Sequence, residues 1–194
     1  SSETTSPPEK AFKMFLSVID ENPPEPYFAW IHLFPPHDPY LPPEPYMGMF
    51  DSSLNLKTFR SQINEFAKFK QDKYVYGYNK DFPQEVQPTV EILRARYDEF
   101  ITYCDKQFED FITQLTMRNK SENTVIFLSS DHGESFEHNY LQHTGYPLYE
   151  QVTSIPLIIK APNQKGGVII NDLAEQIDIP PTILDLANIP APLW

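Results

Sequence analysis

Residues 124 to 160 constrain this chain more than any other stretch. Four apolar residues, Val125-Ile126-Phe127-Leu128, change without transition into Ser129-Ser130-Asp131-His132-Gly133-Glu134. A short β-branched and aromatic run followed by small, polar and Gly residues predicts a buried strand that ends in a loop. A second apolar run, Ile155-Pro156-Leu157-Ile158-Ile159, predicts another buried strand. Ligands of open α/β sheets gather at the carboxyl ends of strands. Asp131 and His132 therefore stand where a site is expected, and His138 and His143 follow shortly after.

The chemistry of that loop follows from its residue types. A carboxylate offers a hard oxygen ligand and neutral imidazole offers nitrogen, a pair suited to holding a divalent cation against an anionic ester. Neighbours on an extended strand point opposite ways, so Asp131 and His132 reach one ion only if the backbone turns. Gly133 permits such a turn. The competing reading makes Asp131 a helix cap and the histidines surface residues. For a lone Asp-His pair that competing reading would be the favoured one; three of the chain's five histidines crowd into this one loop, which weakens it.

Elsewhere the pattern alternates between helix and extended chain. Phe12, Phe15, Leu16 and Ile19 recur at helical spacing and predict a short amphipathic helix over 9–20, ended by Asn22-Pro23-Pro24. Tyr27 to Phe34 reads as a buried strand. It runs into Pro35-Pro36-His37-Asp38-Pro39-Tyr40-Leu41-Pro42-Pro43-Glu44-Pro45-Tyr46, whose prolines stiffen the loop around His37. His37 is either a ligand-contacting residue or a turn residue packed between prolines; His32, inside the run, reads as a core histidine. Residues 47–87 predict a surface excursion. In it Phe59 to Phe69 suits a helix, and Tyr74, Tyr76 and Tyr78 suit a short strand or a sugar-binding rim.

The clearest helix lies over 89–118. Leu93, Tyr97, Phe100, Ile101, Cys104, Phe108, Phe111, Ile112 and Leu115 make one apolar stripe, expected to pack on the sheet formed by 125–128 and 155–159. Cys104 on that stripe reads as a small core residue. Val168 to Ile170 suits a short strand, and Pro181 suits the first turn of a short helix.

Composition excludes several functions. At 194 residues the chain is long enough for one sizeable domain, and its 40% hydrophobic content argues against disorder. A net charge of −12 argues against nucleic acid or an anionic membrane surface as partner. No apolar run approaches the roughly 20 residues that span a bilayer. A negative protein that handles an anionic ester needs a local positive focus, which a metal provides. The single cysteine rules out an internal disulfide.

Four blocks, in order, resemble the sulfatase family of the alkaline phosphatase superfamily. They are His37-Asp38-Pro39-Tyr40 with Pro42-Pro43-Glu44-Pro45-Tyr46; Arg96-Tyr97-Asp98 through Leu115; Ser130-Asp131-His132-Gly133-Glu134 with Glu137-His138 and Tyr149-Glu150; and Asp178-Ile179-Pro180-Pro181-Thr182-Ile183-Leu184-Asp185-Leu186. The resemblance implies that Asp131 and His132 are metal ligands and that His37 contacts the ester's anionic oxygens or leaving group. His143 falls where the family places a Lys or His near the leaving group, and His138 has a supporting place. Ser154 departs from the family, whose members often carry Arg before the strand. The family's nucleophile, a Cys or Ser in Cys/Ser-X-Pro-X-Arg, has no counterpart in this sequence, nor do the early Asp ligands. The chain thus resembles the later part of a catalytic domain.

The expected fold is α/β: one domain over 1–194, a three-layer αβα sandwich with a mostly parallel sheet that lacks its first strands. The expected parent function is hydrolysis of a sulfate ester, on a sulfated small molecule or glycan, with Ca²⁺ or Mg²⁺. The alternatives are a phosphoryl or phosphoglycerol transferase of the same superfamily, with Mn²⁺ or Zn²⁺, or a sulfatase-like fragment that binds without turnover. The resemblance favours a secreted or periplasmic location.

Overall fold

The structure, a computed structural model, describes residues 6–53, 56–61, 65, 68, 81–141, 143–144 and 148–190. The chain divides into two compact units, Ser1–Asn163 and Gln164–Trp194.

In the first unit, helix α1 (Pro8–Asp20) opens with proline in its first turn, where no backbone N–H is needed. It buries Phe12, Leu16 and Ile19, one face at steps of four and three. Asn22 leaves the helix in the left-handed region, as Asn tolerates. Short helix α2 spans Leu56–Ser61. Long helix α3, Gln87–Met117, serves two clusters along its length. Near its start Val90 and Leu93 join Tyr40, Met47, Phe59, Phe82, Phe136 and Leu141. Towards its end Phe111 and Leu115 join Phe12 and Leu16 of α1, and Phe12 stacks on Phe111 at 4.5 Å between ring centroids.

Between the clusters α3 carries a buried ion pair. Arg96 Nη1 lies 3.2 Å from Glu99 Oε2, and neither side chain is exposed. Glu99 accepts the backbone N–H of Phe50 at 2.9 Å, and Arg96 donates to the Asp51 carbonyl. The pair so ties the end of the proline-rich loop to α3, since buried charges are tolerated only when paired and hydrogen-bonded.

The expected stripe on α3 is present but its partner is different. Phe100 is buried and Phe108 and Ile112 are partly buried, while Ile101 is 42% exposed. The helix packs chiefly on α1 and the proline-rich loop. From the sheet only Ile126 joins that cluster among the described residues.

Strand β1 (Ile126–Ser129) pairs with β2 (Leu157–Lys160) in antiparallel register, Ile126 opposite Lys160 and Ser129 opposite Leu157. A mostly parallel sheet was expected. The pairing seen is antiparallel: among its described residues the connection from β1 to β2 holds the four-residue helix α4, Glu150–Thr153, and no crossover helix, so the chain returns beside itself. Tyr27 to Phe34 is extended but forms no ladder among the described residues. Ile31 and Leu33 pack on the α1–α3 cluster, whereas Phe28 and Trp30 are 70% and 78% exposed. Of the helix expected over 59–69, the described residues 59–61, within α2, and 65 and 68 are helical, while the others, like the expected strand at Tyr74, Tyr76 and Tyr78, lie outside the described residues.

In the second unit a 3₁₀ turn, Gln176–Asp178, leads into helix α5, Ile179–Leu186. Pro181 occupies its first turn, as the sequence predicts, and Pro180 precedes it there. The Glu175 backbone N–H donates to Asp178 Oδ2 at 2.8 Å, one half of a capping box. Val168 to Ile170 forms no strand and is exposed.

Candidate functional site

Two loops of the first unit, far apart in sequence, meet. One is the proline-rich loop after the extended segment. There the His37 N–H closes a turn on Phe34 O at 2.9 Å. The other follows β1, where the Gly133 N–H donates to Val152 O of α4 at 2.7 Å. Gly133 is required for space rather than for a turn: a Cβ built there would lie 2.1 Å from Gln151 O. The loop thus rests directly on the backbone of α4.

Three histidines converge where the loops meet. The His132 and His143 rings stack at 4.2 Å between centroids, and His37 meets His143 edge-on at 5.1 Å. Each directs Nδ1 at an oxygen. His37 Nδ1 is 2.8 Å from Asp38 O and 2.9 Å from Asp38 Oδ1. His132 Nδ1 is 2.8 Å from Gly133 O. His143 Nδ1 is 3.1 Å from Glu134 Oε2. An acceptor at Nδ1 holds the hydrogen there, so Nε2 is the nitrogen each ring offers to a ligand.

Asp131 is open, with its side chain 74% exposed, and its Oδ2 lies 3.8 Å from His132 Nε2. Two donors at that separation can touch one cation at bonds of about 2.0–2.6 Å. They are an incomplete set: among the described residues no three His, Cys, Asp or Glu side chains are disposed around one ion. The donor set fits a hard or borderline divalent cation and leaves most of its coordination to other groups.

His138 stands apart from the three converging rings. It occupies a left-handed backbone conformation, stacks on Tyr149 at 4.6 Å, and has Nε2 3.4 Å from Gln151 Nε2. Of the five residues singled out in the sequence, His37, His132 and His143 come together, Asp131 adjoins His132, and His138 lies on the Tyr149 side.

Sequence reasoning gave no role to two further residues. Glu134 is nearly buried, with its side chain 5% exposed, and accepts the Tyr40 hydroxyl at 2.8 Å as well as facing His143. Tyr40, 94 positions earlier, is 1% exposed and packs against Tyr97 and Phe136. Burial pushes the Tyr40 phenol well above its usual range, and the Glu134 charge beside it adds to the shift, so the hydroxyl stays protonated and donates. The same two causes push Tyr97 up to about 12. The available signal was positional: Glu134 completes Asp-His-Gly-Glu just ahead of buried Phe136, and Tyr40 sits three residues after His37.

Comparison with known proteins bears on the family and the fold. The sequence profile of the sulfatase family matches residues 5–189. The chain is 29% identical over 179 residues to an arylsulfatase of Clostridium perfringens, covering 88% of this chain and 36% of that protein. It is 27% identical over 186 residues to human arylsulfatase K, covering 87% of this chain and 33% of that protein. The chain so spans about a third of the length of these relatives. Its backbone matches a phosphonate monoester hydrolase of Silicibacter pomeroyi with a TM-score of 0.72 at 25% identity, over 97% of this chain and 39% of that one. The fold is accordingly α/β of the alkaline phosphatase kind. With the four motif blocks in order and the match running nearly end to end, the chain belongs to the sulfatase family, within the alkaline phosphatase superfamily.

Proposed function

We propose that the whole protein hydrolyses sulfate esters and that residues 1–194 belong to its single catalytic domain. One observation carries the reading: His37, His132 and His143 converge, with centroid distances of 5.1 and 4.2 Å, from loops nearly a hundred positions apart. Packing gives no reason for three polar rings to meet, because polar groups gain little from burial unless paired. Asp131 Oδ2 and His132 Nε2 would hold part of the shell of a divalent cation, Ca²⁺ or Mg²⁺. Such a cation supplies positive charge to an otherwise acidic protein where an anionic ester must bind. With both ring nitrogens protonated, His37 and His143 would donate Nε2–H to the ester's oxygens and to the departing oxygen, and His138 would support the loop from the Tyr149 side. The sequence contains no Cys/Ser-X-Pro-X-Arg, so the 194 residues alone are expected to bind the cation weakly and to turn over no ester.

The same reading extends to the fold. A three-layer sandwich with a mostly parallel sheet would cover apolar residues that stand open in this chain, Phe28, Trp30 and Ile158 among them.

The likeness to a phosphonate monoester hydrolase favours a second reading, hydrolysis of phosphonate or phosphate esters, for which Mn²⁺ or Zn²⁺ would suit the same Asp–His pair. The deciding experiment compares aryl sulfate with aryl phosphonate monoester hydrolysis by the whole protein, with and without a chelator. Faster turnover of the sulfate is expected, lost on chelation and reduced at least about 100-fold in Asp131→Ala. Preference for the phosphonate would establish the second reading. Full activity of Asp131→Ala would end both.

A further inference from the structure

Glu134 takes no part in the cation site or the substrate contacts just described, yet it is a nearly buried carboxylate at the centre of them. Its side chain is 5% exposed and that of His143 is 11% exposed. Removing a carboxylate from water costs several kcal/mol unless good partners offset it. The partners here are unusual in where they come from. Tyr40 belongs to the loop that carries His37, and His143 belongs to the loop after β1, and both contact the same oxygen, Oε2, at 2.8 and 3.1 Å. One carboxylate oxygen therefore sets the register between the two loops whose histidines face each other at 5.1 Å.

We propose that Glu134 is the positioning residue of the site: anchored by Tyr40, it fixes the ring of His143 through Nδ1–H, so that Nε2–H of the protonated ring points at the departing oxygen and passes its proton to it as the ester bond breaks, while Nδ1–H stays on Glu134. This rests on the assignment of His143 to the leaving group made above. The geometry works in three parts. Tyr40, wedged against Tyr97 and Phe136, cannot move without disturbing the first cluster. Its hydroxyl fixes where Oε2 lies. Oε2 then accepts the Nδ1 hydrogen of His143, which sets the ring's rotation and its tautomer together. His132, stacked on the ring of His143, limits the remaining tilt. The carboxylate is thereby required for chemistry at the leaving group and not for affinity.

The test is made on the whole protein with a series of aryl and alkyl esters that differ in leaving-group basicity. Glu134→Gln keeps the shape and one acceptor but removes the charge. It is expected to lower kcat about 10–100-fold with KM little changed, and the loss should grow as the leaving group becomes more basic. Tyr40→Phe, which keeps the ring and its packing, is expected to show the same trend at smaller amplitude. Glu134→Asp should recover part of the lost kcat. A loss that is equal for all leaving groups, or no loss, overturns the proposal. If Glu134→Gln fails to fold, Tyr40→Phe decides in the same way. Independently of activity, ¹⁵N resonances of His143 should report hydrogen on Nδ1 in the parent protein, and a ring with hydrogen on Nε2 but none on Nδ1 would also overturn the proposal. If Asp131→Ala is inactive while Glu134→Gln matches the parent on every ester, this inference fails and the proposed function stands. If Asp131→Ala is fully active, the proposed function has failed, and the His143 tautomer still judges the contact with Glu134.

Discussion

The extended segment 27–34 has two faces that meet opposite fates. Ile31 and Leu33 point into the cluster of Phe12, Leu16, Phe111 and Leu115, while Phe28 and Trp30, one step out of phase, are 70% and 78% exposed. The residues on the two faces are equally apolar, so side-chain chemistry does not separate them. What separates them is whether a helix lies across the face. A strand that is apolar on both sides has the composition of a central strand in a sheet covered twice. Helices α1 and α3 cover one side in this chain. The open side carries no less hydrophobic surface and gains none of the stabilisation that comes from removing it from water.

That contrast can be broken by paired truncations. Phe111→Ala removes a ring stacked on Phe12 in the covered cluster and should cost about 3–5 kcal/mol in urea unfolding. Trp30→Ala on the open face should change stability by no more than about 0.5 kcal/mol despite removing a larger side chain. Comparable losses for the two would show that Trp30 is covered in solution. Phe108, which is only partly buried, should fall between them.

Next in size is the contact that seats the site loop on the covered core. Gly133→Ala places a methyl group 2.1 Å from the Gln151 carbonyl, which is backbone and cannot rotate away. The loop or α4 must shift, at an expected cost of about 1–3 kcal/mol. The measurement should pair unfolding with the NMR signals of the three histidines. An unchanged His132–His143 environment in a fully stable variant would contradict the close approach.

How far the sequence revealed this molecule depended on the range of the interaction. Helices α1 and α3 were legible because a stripe of apolar residues at steps of three and four is a local signal, and the structure differs by at most two residues at any end. The strand at 27–34 was misread because composition records that a segment is suited to pairing, not that a neighbouring strand is present. The antiparallel return of β2 depends on the connecting segment and not on the strands' own residues. At the site, residue type and the resemblance singled out His37, Asp131, His132 and His143, and the structure brings the three histidine rings together with Asp131 beside His132. Glu134 and Tyr40 were not singled out, because a buried carboxylate and a buried phenol are identified only by the partners they meet 94 positions apart. The role given to Gly133 changed for the same reason: its neighbour is the α4 backbone, which no spacing in the sequence foretells.

The smallest expected effect tests the covered side through its electrostatics. Asp98 lies on α3, between Arg96 and Glu99 in sequence, and is partly buried. Desolvation raises its pKa above the usual carboxylate value, with Arg94 opposing the shift and Glu99 adding to it. A raised folded-state pKa means that the folded chain binds the proton more tightly than the unfolded one. Stability must then rise as pH falls through the folded pKa towards the unfolded value of about 3.9, the reverse of a salt-bridged aspartate. Asp98→Asn removes the penalty of the charged form and should stabilise the chain at neutral pH by no more than about 0.5 kcal/mol, since the group is partly solvated. The gain should shrink as pH falls through the Asp98 pKa. A variant less stable than the parent at pH 7 would mean that the attraction of Arg94 outweighs burial at this position. The covered side of α3 would then tolerate a charge at Asp98 at no cost.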